Sequence, residues 1–166
     1  MSTTSLDSRL AEAIELREQG HVEHARDLLL ELHRQLPNHA QVNLQCAWAH
    51  DKLGLETEAV PFYERALALG LDGDDLKDAL LGLGSTYRTI GDYEKALITL
   101  DRGVEHFPGD QGIQVFRAMA LYNNGRAKEA CETLLRLLAE TTSDPDIRSY
   151  RGAIDIYAAD LDRTWP

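Results

Sequence analysis

Basic residues are scarce in this sequence. Seventeen Lys and Arg stand against 28 Asp and Glu, a formal net charge of -11 over 166 residues. A surface that neutralises phosphates needs the opposite balance, so the composition argues against nucleic acid and favours basic protein segments as partners. Cysteine is scarcer still. Cys46 and Cys131 lie 85 residues apart, each inside a helical pattern, and read as two buried thiols rather than a disulfide. Long apolar runs are missing as well: no window approaches the ~20 apolar residues of a membrane helix. Met1 to Ser5 carries no basic, apolar leader. The expectation is a soluble, cytoplasmic chain without membrane contact.

Catalytic constellations are equally thin. No serine sits in a nucleophile-elbow pattern. Gly82-Leu83-Gly84 follows no strand and precedes no lysine, so it is no phosphate loop; close helix packing accounts for Gly84. His21 and His24 stand three apart at a helix start, but no third ligand is fixed by spacing. His50 takes the place of a packed core residue. Leu71-Asp72-Gly73-Asp74-Asp75 lacks the ligand spacing and closing glutamate of a calcium loop, and reads as a solvated turn with a helix cap. The reading is no enzyme, no metal and no cofactor.

What the sequence does contain is a period. A glycine is followed five residues later by an alanine at Gly20 and Ala25, Gly54 and Ala59, Gly91 and Ala96, and Gly125 and Ala130. Successive glycines are 34, 37 and 34 residues apart. The residues seven before them, Ala13, Ala47, Gly84 and Ala118, are all small. A fixed period of this size means one small unit stacked several times. Each unit reads as a helix closed by a glycine in the left-handed region, then a second helix folded back closely on the first. Leu6, Leu10, Ala13, Ile14 and Leu16 form the first stripe, with Ser5 or Asp7 as its cap. Pro61 falls, on this reading, in the first turn of its helix, where no amide is needed. The three residues Asp74 to Leu76 account for the longer step. Ser143-Asp144-Pro145 opens a last helix with Ile147, Tyr150, Ile154, Tyr157 and Leu161 on one side, suited to covering the end of the array. Trp165 has no evident berth.

Around Gly91 the order Leu83-Gly84, Tyr87, Gly91-Asp92-Tyr93, Ala96 and Phe107-Pro108 resembles the tetratricopeptide repeat (TPR), and the resemblance spans roughly residues 6 to 144. It implies an all-α fold: a right-handed superhelical array of four helix-turn-helix pairs plus a C-terminal capping helix. As a single domain over residues 1-166, the repeats fall at about 6-39, 40-73, 77-110 and 111-144, and the cap at about 145-162.

The resemblance also implies that first helices line a concave groove, with residues ten, six and three before each turn glycine facing it. Those are Leu10, Leu44, Leu81 and Val115; Ile14, Trp48, Ser85 and Met119; and Arg17, Asp51, Arg88 and Tyr122, with Phe116 at the edge. The first set is expected largely in the core. Some members of the family clamp C-terminal carboxylates with lysines and asparagines; Leu10, Ile14, Trp48, Leu44 and Ser85 stand at those places, so that clamp is absent. The expected function is a non-catalytic adaptor holding a peptide or amphipathic helix of a partner, on Trp48, Met119, Tyr122, Arg17, Arg88, Ile14, Ser85 and Lys52. The alternative is a self-associating protein, a homodimer through groove, capping helix or tail. The repeat register makes its own prediction: Ala96→Glu forces bulk and charge between packed helices and abolishes the cooperative thermal transition followed by circular dichroism. A variant as stable as the wild type would refute the register.

Overall fold

A turn made four times sets the architecture. At Gly20, Gly54, Gly91 and Gly125 the backbone has φ of 90°, 70°, 85° and 75°, a region that strains any residue bearing a Cβ. The amide after each glycine bonds a carbonyl five residues back: His21 to Leu16 at 2.8 Å, Leu55 to His50 at 3.0 Å, Asp92 to Tyr87 at 2.9 Å, and Arg126 to Leu121 at 2.9 Å. The glycine amide itself bonds the carbonyl three back, at Arg17, Asp51, Arg88 and Tyr122. This double bond pattern satisfies carbonyls that a helix end leaves without partners. The alanines five residues on, Ala25, Ala59, Ala96 and Ala130, are buried, as are Ala13, Ala47, Gly84 and Ala118.

The computed structural model describes the backbone of residues 3–164 and the side chains of residues 7–164, so Trp165 lies outside the described residues. These contain ten helices and no strand. The fold is all-α. It divides into two compact units, residues 1–92 and 93–166.

The first unit holds α1 (Thr3–Glu18), α2 (Val22–Gln35), α3 (Ala40–Lys52), α4 (Glu56–Leu69) and α5 (Gly73–Thr89). Each packs on the next. Ala13, Leu29, Leu32, Val42, Cys46 and Ala49 form its core, with Leu10, Val22, Leu28 and Phe62 packed at the margin. His50 is buried as expected: its Nδ1 lies 2.7 Å from the Cys46 carbonyl, and its ring lies 5.0 Å from that of Phe62. Burial pushes the Cys46 thiol up to about 12, so it remains an inert thiol.

The second unit holds α6 (Tyr93–His106), α7 (Gln111–Asn123), α8 (Ala127–Thr141), α9 (Pro145–Ser149) and α10 (Arg151–Ala158). α7 packs on α6 and α8, and α10 packs on α8. Asp110 caps α7 by accepting from the Ile113 amide at 2.8 Å, and Arg117 pairs with Asp101.

Several expectations are corrected. α1 begins at Thr3, so Ser5 and Asp7 lie inside it rather than at its cap. Pro61 is the sixth residue of α4, which starts at Glu56; it lies beyond the four amides that need no partner, in the helix interior. Asp74 to Leu76 lengthen α5 to 17 residues instead of forming a loop. Carboxylates suit the first turn of a helix, and Lys77 pairs with Asp74 there at 2.9 Å. Cys131 is exposed, not buried. The final helix is broken at Tyr150: the Ser149 hydroxyl donates to the Asp146 carbonyl at 2.7 Å, and Gly152 follows. Tyr150, Tyr157 and Leu161 are consequently exposed, while Ala158 is buried and Ile147 and Ile154 half-buried. Lys128 on α8 holds Asp160 and Asp162 at 2.6 and 2.8 Å.

Close approach belongs to Gly82 as well as to buried Gly84. A Cβ at Gly82 would stand 2.8 Å from Tyr63 Cζ and nearer still to its hydroxyl. Tyr63 is buried and tied to Asp51, so its ring has little freedom to yield. Gly82→Ala therefore lowers stability by about 1–3 kcal/mol, against the usual gain of up to about 1 kcal/mol for glycine to alanine in a helix. Gly152→Ala, with nothing within 4 Å of its Cβ position, shows the usual gain. Urea titration of both variants checks the opposite signs.

Candidate functional site

The carbonyls that receive the turn glycines belong to Arg17, Asp51, Arg88 and Tyr122. Their side chains therefore leave from the last turn of each first helix, at a place fixed by backbone bonds. In the first unit this gives a series on α1, α3 and α5 of cation, anion, cation.

Trp48 lies one turn before Asp51 on α3, half-buried. The Arg17 guanidinium lies 5.0 Å from the centre of its ring, within the range of a cation–π attraction. Burial lowers the Arg17 pKa from its ordinary value, opposed by Glu18 and Tyr63; an arginine stays charged regardless. Its Nε is buried without a hydrogen-bond partner among the described residues, and so is the Nε of Arg88. The Arg17 Nη2 lies 3.9 Å from the Glu18 carboxylate.

Asp51 is engaged. Its Oδ2 accepts from the Tyr63 hydroxyl of α4 at 2.6 Å, and the Thr86 hydroxyl of α5 lies 3.1 Å from both carboxylate oxygens. The Gly82 carbonyl, 2.8 Å from Thr86 Oγ1, competes for the same proton. A cavity of about 190 Å³ opens beside this cluster, lined by Asp51, Glu56, Ser85, Thr86 and Thr89.

The remaining predicted residues separate by burial. Leu44 belongs wholly to the core, whereas Leu10 and Leu81 are half-buried and Val115 is exposed. Ile14, Ser85, Phe116 and Met119 are half-buried, and Lys52 and Tyr122 are exposed. Met119 and Tyr122 stand on α7 of the second unit. The structure brings Arg17 to Trp48 and places Ser85 beside Asp51. Tyr63 and Thr86, which hold Asp51, were not singled out by sequence reasoning: only the folded arrangement aims their hydroxyls at one carboxylate. Among the described residues, no group of three or more His, Cys, Asp or Glu stands together as metal ligands, and no helix is long and apolar enough to cross a membrane.

Burial raises the Asp51 carboxyl above its ordinary 3.8, with Glu56 adding to the rise and the bonds from Tyr63 and Thr86 opposing it. The folded chain then binds this proton more readily than the unfolded chain. Stability from this group is gained as pH falls through the raised value toward 3.8 and lost as pH rises through it. Asp51→Asn keeps an acceptor for Tyr63 and Thr86 but cannot titrate. Denaturation at pH 4 to 7.5 therefore finds the wild type gaining on the variant as pH falls. A stability difference constant across that range would show the carboxylate carries no burial cost.

Comparison with known proteins places this geometry in a family. A family model described as Tetratrico peptide repeat matches residues 40–161. No curated protein matches the chain. Among solved structures, the chain is similar to YrrB, described as a TPR protein with an unusual peptide-binding site, at 21% identity and a TM-score of 0.73, covering 93% of this chain and 77% of that one. It is also similar to MamA (41-end) from Desulfovibrio magneticus RS-1, at 19% identity and a TM-score of 0.74, covering 93% and 86%. TPR-like repeats from Podosopora anserina match at 22% identity and a TM-score of 0.71, covering 97% and 93%. With the repeat glycines, their turns and the family match in agreement, the chain belongs to the tetratricopeptide-repeat family.

Proposed function

We propose that the protein is a non-catalytic interaction module that grips a partner polypeptide on the first-helix face of its 1–92 unit. The observation that carries this reading is the pairing of Trp48 with Arg17, with Arg88 at the equivalent place on α5. A half-buried indole offers a large, stiff apolar surface, and tryptophan and arginine are the residue types that dominate binding energy at interfaces. A partner segment lays an apolar side chain against Trp48 and presents acceptors to the two guanidinium groups. Asp51, Glu56, Ser85, Thr86 and Thr89 line the polar notch beside it, suited to a basic or hydrogen-bonding side chain of the same segment. Ile14 and Lys52 complete the apolar and charged margins. YrrB, of the same fold, is described as having a peptide-binding site, which supports this class of ligand. On the second unit, Met119 and exposed Tyr122 of α7 offer a separate contact.

Exposed Leu134 and Leu138 on α8, with Tyr150 and Tyr157 following, favour a second reading, self-association. Sizing of the purified protein over a wide concentration range separates the two.

Capture from a cell lysate, comparing wild type with Trp48→Ala, tests the main reading. Partners held by wild type are expected to bind the variant more weakly by about 2 kcal/mol, roughly 30-fold in Kd, with the helical signal unchanged. Equal retention by both proteins would move the binding site elsewhere, and lost helicity would make Trp48 a structural residue.

A further inference from the structure

Large apolar side chains left in water are unevenly distributed. Among the described residues none before Ile90 is exposed, whereas Leu134, Leu138, Tyr150, Ile156, Tyr157 and Leu161 all are, on or after α8. Single exposed apolar residues are ordinary, but a contiguous patch marks a contact surface.

Helix geometry makes this patch contiguous. α10 runs back along α8 in the opposite direction, since Lys128 at the start of α8 holds Asp160 and Asp162 beyond the end of α10. Buried Ala139, three turns on from Lys128, faces α10 from the same side of α8, and Ala158 is the buried residue of α10. Leu138 stands one residue before Ala139, and Tyr157 one before Ala158. In two antiparallel helices, the same step back from the contact leads to the same side of the pair. Ala127, Cys131, Leu134 and Leu138 thus form a stripe along α8, with Tyr150, Ile154 and Tyr157 beside it along α10, at spacings of three and four. Neither stripe contains a charged residue.

The two stripes differ in height. Tyr150 and Tyr157 are 66% and 54% exposed, Leu134 and Leu138 41% and 42%, so the α10 tyrosines form a ridge beside a lower α8 furrow. With Leu161, these side chains leave roughly 500 Å² in water. A stable dimer contact takes about 800 Å² from each partner, and in homodimers about 65% of it is apolar. The exposed face supplies that amount.

Building on the second reading above, self-association, we propose that a second copy of the chain covers this face about a two-fold axis parallel to the two helices. The Tyr150–Tyr157 ridge of each copy then seats in the Leu134–Leu138 furrow of the other. A two-fold contact uses one patch twice, so a ridge needs a furrow on the same face, and this face has both. Charge gives an independent argument. Each copy carries a net charge of -11, so two copies repel over most of their surfaces. They meet at least cost through stripes that carry no charge, and the depletion of charged residues there is the mark of an interface core.

Sedimentation equilibrium of the full chain, from about 1 to 200 µM, is expected to show a monomer–dimer equilibrium that tightens as salt is raised, because salt screens the repulsion between like charges. Leu138→Lys and Tyr150→Lys are each expected to weaken the dimer at least about tenfold. Lysine lowers the net charge, so added repulsion does not account for such a loss. Ile98→Lys, at an exposed residue of α6 outside the face, is expected to leave the dimer unchanged. The two face variants lie on different elements; should one lose its helical signal, the other carries the test. A monomer at every concentration overturns the proposal together with the self-association reading. A dimer that both face variants leave intact overturns the proposal alone and keeps that reading. A contact that weakens with salt, or assembly that grows beyond the dimer, also overturns it.

Discussion

Everything in this protein hangs on a backbone conformation that only glycine adopts cheaply. At four points a helix closes through a left-handed residue, the next amide reaches five residues back, and the chain reverses into a second helix. A side chain in that region costs roughly 1–2 kcal/mol, so the glycines and not the intervening helices fix the period. The reversal forces two helices together near the turn. The positions that meet there must be small, which is why Ala25 and Ala59 have no exposed surface.

The same turn determines where the chemistry can be. By engaging the carbonyls of Arg17, Asp51 and Arg88, it places their side chains in equivalent last turns of three helices. The C-terminal end of a helix carries partial negative charge and favours cations. Arg17 and Arg88 comply; Asp51 does not. Its charge stands at the wrong end of α3, half-buried, and Tyr63 and Thr86 are needed to hold it. Gly82 leaves room for the Tyr63 ring, so one unfavourable carboxylate organises residues of three helices. An asparagine would satisfy the same two hydroxyls without the burial cost. Retaining a carboxylate there makes sense if its charge is used by a partner segment lying beside Trp48.

The sequence made the repeat legible because glycine φ and alanine size are local constraints, readable residue by residue. The small positions before each turn and the buried His50 followed from the same register. Legibility failed where the outcome depended on where a helix begins. Pro61 seemed harmless because α4 was taken to start nearer to it; the helix instead begins at Glu56, directly after the turn. Asp74 and Asp75 looked like loop residues by composition, yet carboxylates in a first turn are helix starters. Cys131 lies in an apolar pattern, but α8 buries only Ala130, Leu137 and Ala139, which leaves Leu134, Leu138 and the thiol outside. In the candidate site, Arg17, Trp48 and Arg88 were visible as positions in a period. The Tyr63 and Thr86 hydroxyls were not, because nothing local distinguishes a core hydroxyl from one aimed at a carboxylate on another helix.

Two surfaces of the first unit, the Trp48 face and a cleft lined by Pro37, Pro61 and Phe62, use the repeat differently, and the difference bears on how each is maintained. The Trp48 face repeats with the period, so its residues share one backbone environment and vary in side chain alone. The cleft at Pro37 and Pro61 does not repeat: Pro37 follows the end of α2, and Pro61 sits inside α4. Proline carries no amide, so both positions give up a backbone bond that the fold could otherwise make. Leu29, Leu32 and Val42 are sealed in the core of the first unit, and Phe62, next to Pro61, packs at its margin. A helix-interior proline and a sealed-off amide oxygen, that of Asn43, both lower the stability of the free chain.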